Sequence, residues 1–183
     1  MKKIKYLFVG FSLILLASCG NGKSGITKYS EELYLHQVDS IEKILYANPN
    51  APMNKLAANS AVNLYSNFVK DYPQTKNAAD YLFKAAEISS SLNHSKQAID
   101  FFNTVYEKYP TYPKLSYCLF LQGFIYDNQL HDFKNAEKIY KQVIEKFPNE
   151  KIAEDAKASI ANLGKSDEEL IKEFEAKNNK KSS

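Results

Sequence analysis

Three hexamers constrain this chain more than any other feature: FVKDYP at residues 68–73, VYEKYP at 105–110 and VIEKFP at 143–148. Their prolines, Pro73, Pro110 and Pro148, stand 37 and 38 residues apart. The alignment extends beyond the hexamers. Ala61, Ala98 and Ala136 precede them at a fixed distance, and the small residues Ala86, Gly123 and Ala161 recur with the same spacing. A period of this length marks one supersecondary unit written several times, and such a unit buries its apolar face only by stacking on its neighbours.

Each unit reads as two helices. Ala98, Phe101, Phe102 and Val105 recur at three- and four-residue intervals, as do Ala136, Ile139, Tyr140 and Val143. That spacing puts each set on one helical face. The hexamer then ends the helix, because the residue before a proline is steered away from helical angles. The other helix of each unit holds residues 80–86, 119–123 and 156–161. Ser95 and Asp132 are the expected N-caps of the second helices. Gly123 lies inside a helix, where glycine costs about 1 kcal/mol relative to alanine. Close approach of the paired helix at or near Ala136 is the expected reason. Upstream, residues 30–46 and 53–72 flank Asn48-Pro49-Asn50-Ala51-Pro52 and read as a degenerate first hairpin. Downstream, Ser166 and Glu169 form a capping box before Leu170, Ile171 and Phe174, whose helix is expected to cap the stack.

This pattern resembles the tetratricopeptide repeat, in which a small residue, an alanine, a bulky aromatic and a terminal proline occupy set offsets. Ala86, Ala98, Phe102 and Pro110 match without a gap. Gly123, Tyr126, Ala136, Tyr140 and Pro148 match with one residue inserted near 129–132. The family's early tryptophan is absent, with Leu82 and Leu119 in its place. The 13 residues from each proline to the next small site exceed the usual link and are similar to the BamD and YbgF type of bacterial envelope lipoproteins. The resemblance implies an all-α, right-handed solenoid of about three helical hairpins plus a C-terminal capping helix. It would span residues 30–177, with 178–183 as a disordered tail.

The N-terminus reads as an address. Lys2, Lys3 and Lys5 precede an apolar run from Tyr6 to Leu16, the layout of a secretory signal and too short for a mature span. Leu16-Ala17-Ser18-Cys19 resembles the bacterial lipobox at all four positions. The resemblance implies a signal peptide over 1–18, lipidation of Cys19 with acylation (palmitate) of the new amine, and membrane attachment through that anchor. Residues 19–29 then form the lipidated cysteine and a flexible tether, the last ten residues reaching roughly 17 Å. No acidic residue follows Cys19 closely, whereas acids there mark surface export in Bacteroidetes-type lipoproteins. The expected location is therefore the periplasmic face of the outer membrane. Removing 1–18 takes away three of the 24 lysines and leaves 21 against 21 acidic residues, a net charge of zero.

Chemistry is hard to find. All basic residues are lysines, which argues against nucleic acid, where bidentate recognition leans on arginine. His36, His94 and His131 are isolated and lack ligand-spaced neighbours, so no metal site is expected. No glycine-rich phosphate loop exists, since only Gly123 and Gly164 follow Gly25, and no cofactor is expected. Cys118 loses its only possible partner once Cys19 is lipidated, and reads as a buried apolar residue. No catalytic residue emerges, and the expectation is a non-enzyme.

What remains is a surface. In tetratricopeptide stacks the first helix of each hairpin lines a concave groove. Carried over, Asp80, Phe83, Glu87 and Ser90 face it from one repeat, and Tyr117, Phe120, Phe124 and Asp127 from the next. These would make an aromatic strip bordered by acids, suited to a peptide or partner helix, although several could equally pack between hairpins. The lysine/asparagine clamp of some family members is missing, because Phe83 and Phe120 hold its basic positions. The resemblance implies a protein-binding scaffold in envelope assembly, with barrel-assembly components as partners. Tol-Pal or peptidoglycan machinery is the alternative set. A third reading is a lipid-anchored solute or glycan binder, which the 24 tyrosines and phenylalanines would suit.

Overall fold

A computed structural model describes residues 29–48 and 50–181. The expected signal peptide, Cys19 and nearly all of the tether therefore lie outside the described residues. Among those described there are eight helices and no strand: α1 (Glu31–Leu45), α2 (Lys55–Asp71), α3 (Ala78–Ser91), α4 (Ser95–Lys108), α5 (Leu115–Asn128), α6 (Phe133–Lys146), α7 (Lys151–Asn162) and α8 (Asp167–Lys181). None is long and apolar enough to cross a membrane. From α1 to α7 each helix packs on its neighbours in sequence, and α5 also touches α7. The result is the expected all-α stack of hairpins, α1–α2, α3–α4 and α5–α6, followed by α7.

The hexamers act twice. Their first residues, Phe68, Val105 and Val143, are completely buried. The carbonyls of those residues accept the N–H of the closing aromatic: Tyr72 to Phe68 at 2.7 Å, Tyr109 to Val105 at 3.0 Å and Phe147 to Val143 at 2.9 Å. The closing tyrosines then reach back along the chain. Tyr109 Oη donates to the Pro73 carbonyl at 3.0 Å, and Tyr72 Oη donates to the Tyr29 carbonyl at 2.6 Å. The motif that ends α4 thus also ties it to the preceding unit, and the one that ends α2 ties it to the start of its own hairpin.

The turns inside the hairpins repeat as well. Asn93 (φ 60°) and His131 (φ 51°) occupy the left-handed region 38 positions apart. Asp132 caps α6, its side chain accepting from the Asn135 N–H at 3.1 Å. Ser95 does not cap α4. It is the first helical residue, the cap position being His94, and its hydroxyl donates to Gln129 Oε1 at 2.7 Å. A cross-repeat acceptor has claimed the group that the local pattern assigned to the helix end.

Gly123 meets the paired helix, as expected, one turn beyond Ala136. A Cβ added there would lie 2.6 Å and 2.7 Å from Cε1 and Cδ1 of Tyr140 on α6, so the ring of Tyr140 fills its space. Cys118 is fully buried and unpaired, and burial pushes its thiol up to about 12.

The C-terminal end departs further. The capping box is present: Ser166 Oγ accepts from the Glu169 N–H at 3.3 Å, and Glu169 Oε2 accepts from the Ser166 N–H at 2.8 Å. Yet α7 closes the stack, burying Ile152, Ala153 and Ala156 against α6 and α5. α8 makes no comparable interface and leaves Ile171 58% exposed. Its helix also runs to Lys181, past residue 177 where order was expected to end. Between the capping box and Lys181 no proline or glycine interrupts it.

Candidate interaction groove

The first helices of successive units, α3, α5 and α7, line one side of the stack. Between α3 and α5 lies a small crevice of about 200 Å³ that includes Glu87, Ser90, Leu121 and Phe124. Between α5 and α7, bounded by the start of α6 and by Leu170 of α8, lies a larger cleft of about 620 Å³. Phe124 borders both.

The structure divides the eight expected groove residues. Glu87, Phe124 and Asp127 line these depressions, and Tyr117 and Phe124 are 48% and 44% exposed. Phe83 does not belong to the groove. It is buried at 4% exposure, edge-on to Phe102 with ring centroids 5.5 Å apart, and Lys114 Nζ covers its ring at 4.7 Å. Phe120 is half-buried against Tyr140 at 5.5 Å. Large apolar area next to an adjacent hairpin is more stable packed than exposed, which is why helical position alone did not place these rings.

Two polar members of the set are committed to the scaffold. Asp80 Oδ1 accepts from Tyr112 Oη at 2.7 Å. Ser90 offers both its carbonyl and its hydroxyl oxygen to Gln129 Nε2, at 3.1 Å and 2.9 Å. Gln129 simultaneously accepts from Ser95, so one side chain joins the turn of one hairpin to that of the next. A second internal network joins the first two hairpins. Glu42 Oε1 accepts from Lys84 Nζ and from Tyr65 Oη, each at 2.7 Å.

The carboxylates left facing the depressions are electrostatically perturbed. Partial desolvation raises the Asp127 carboxyl above the ordinary range, with His131 opposing. The same cause raises Glu87, with Lys114 and Lys84 opposing. Neither carboxylate has a hydrogen bond or ion pair among the described residues. Several cleft residues carried no sequence signal. Phe133, 41% exposed at the start of α6, and Ser159, Asn162 and Lys165 come together only through the packing of α7 on α5 and α6. Among the described residues no group of three potential ligands is placed to hold a metal ion.

A family model described as "Tetratricopeptide repeat" matches residues 80–112 and 117–150, that is, α3–α4 and α5–α6. These two hairpins are thus similar to tetratricopeptide repeats. The α1–α2 hairpin and α7 lie outside the matched segments but continue the same stacking, and α2 carries its own copy of the hexamer. The chain is also similar to proteins named outer membrane protein assembly factor BamD. The relative from Neisseria gonorrhoeae is 25% identical over 180 residues, covering 89% of this chain and 65% of its own length. The relative from Neisseria meningitidis serogroup B gives the same figures. The chain thus spans just under two thirds of the length of the relatives it matches.

Proposed function

We propose that the protein is a non-catalytic scaffold of the bacterial outer membrane that holds a protein partner during envelope assembly. The observation that carries this reading is the tetratricopeptide stack with depressions along α3, α5 and α7, in a chain similar over 89% of its length to an outer-membrane assembly factor. The Leu16-Ala17-Ser18-Cys19 lipobox supports an anchor at Cys19, with the repeats held at the periplasmic face. Confinement at the membrane raises the effective concentration of the groove toward a membrane partner. Barrel-assembly components are the partners this reading names.

Affinity capture from detergent-solubilised envelopes tests it, with and without Cys19→Ala. Recovery of barrel-assembly components that declines in the Cys19→Ala variant is the expected result. Failure to recover any such component from wild-type envelopes would refute the assembly role. A Tol-Pal scaffold of the YbgF type is less well supported: such proteins usually carry a trimerising coiled coil, residues 30–46 show no sustained heptads, and α1 packs on α2 in the first hairpin. The aromatic content that could suggest a glycan site is largely structural. Tyr65, Phe68, Phe102 and Tyr140 are each at most 1% exposed.

A further inference from the structure

The larger cleft has a composition that selects its occupant. On one wall Asp127 of α5 presents a carboxylate that no described residue pairs with, held in partly desolvated surroundings. Beside it stand two exposed phenylalanines, Phe124 (44%) and Phe133 (41%). The one lysine of the cleft, Lys165, is already neutralised, its Nζ bound 2.7 Å and 2.8 Å from the two carboxylate oxygens of Glu173. Ser159 and Asn162 of α7 add neutral hydrogen-bonding groups. His131 is the remaining charged influence on Asp127. An unpaired carboxylate in a cleft that also exposes two aromatic rings is complementary to a cation with a flat, weakly hydrated head and an apolar stem.

Resting on the scaffold reading above, we propose that this cleft receives an arginine side chain of the partner protein, its guanidinium on Asp127 and its stem and plane against Phe124 and Phe133. Guanidinium suits the site better than ammonium, because it can engage a carboxylate through two parallel donors while lying flat on a ring. None of the 183 residues is an arginine, so none of them is the occupant. The smaller crevice across Phe124, lined by Leu121, would take an aliphatic neighbour of that arginine in the same segment.

The test uses the full chain in detergent micelles with 4-fluorophenylalanine at position 133, read by fluorine NMR. The probes are two acetylated, amidated pentapeptides, Ala-Leu-Arg-Leu-Ala and its norleucine counterpart. The arginine peptide should shift the fluorine resonance with an affinity about tenfold above that of the norleucine peptide, a difference of ~1.4 kcal/mol. Asp127→Asn should abolish that preference while leaving norleucine binding and the far-UV circular dichroism spectrum unchanged. Equal binding of the two peptides, no response to the arginine peptide, or a preference that survives Asp127→Asn would each overturn the inference. Arginine selectivity without capture of assembly components would refute the envelope role alone. Capture without arginine selectivity would refute this site alone.

Discussion

Gly123→Ala separates two opposing effects whose magnitudes can be set against each other. In a helix interior, alanine is favoured over glycine by about 1 kcal/mol, so an unconstrained site would be stabilised. Here the new Cβ would lie 2.6 Å from Cε1 of Tyr140, whereas ordinary contact begins near 3.4 Å. The ring would have to move by roughly 0.8 Å, and overpacking a well-filled core typically costs about 1–3 kcal/mol. Tyr140 is 1% exposed and packs on Phe120 at 5.5 Å, which limits its movement on that side. It also borders the larger cleft, which gives the ring some room to relax. The expected net effect is therefore a loss of about 1 kcal/mol, near the middle of what the two terms allow. Urea unfolding followed by circular dichroism should show a lower midpoint at unchanged slope. The decisive comparison repeats the substitution in a Tyr140→Leu background. Without the ring edge, Gly123→Ala should become neutral or stabilising, with a coupling of about 1–2 kcal/mol between the two sites. If Gly123→Ala stabilises the wild-type chain, or costs the same in both backgrounds, the ring contact is not the reason for the glycine.

Gln129→Ala removes a side chain that joins Ser90 to Ser95, and leaves a buried serine hydroxyl without its acceptor. A loss of about 1–3 kcal/mol in urea unfolding is expected, whereas Gln129→Glu keeps an acceptor for Ser95 and should cost less. Burial, together with its hydrogen bond to Asp71, pushes Tyr34 up to about 12 from 10.0. Above pH 10 the unfolded chain gives up this proton before the folded one does. Stability therefore falls as pH rises from about 10 to 12, and Tyr34→Phe should make that fall less steep in alkaline unfolding curves. The Cys118 thiol, likewise held protonated to about 12, should resist a disulfide reagent at pH 8 in the native chain and react fully in urea. Rapid native labelling would show that the α5 core opens easily.

Local pattern carried a long way in this protein because its units stack on near neighbours. The hexamers located the ends of α2, α4 and α6, and the three- and four-residue spacing of Ala98, Phe102 and Val105 named their buried face. Asp132 was legible as a cap because its partner is three residues away. Ser95 was not, because its partner, Gln129, is 34 residues away in the next hairpin. Phe83 and Phe124 both lie on the first helix of a unit, although in the repeat register Phe83 aligns with Phe120 and Phe124 with Glu87. Phe83 has Phe102 and Tyr112 to pack on, with centroids 5.5 Å and 5.9 Å away, while Phe124 opens onto the crevices.

The sequence by itself determined the helical repeat, its register and its stopping points. Those depend on hydrogen bonds and apolar contacts within a few residues, and on prolines that act wherever they stand. Only the tertiary structure decided which side chain fills the space above Gly123, that α7 and not α8 closes the stack, and that Asp127 shares a cleft with Phe133 and Lys165. Each of these depends on how far one helix is displaced against another. That displacement follows from the combined packing of all the buried side chains, and no single stretch of the chain encodes it.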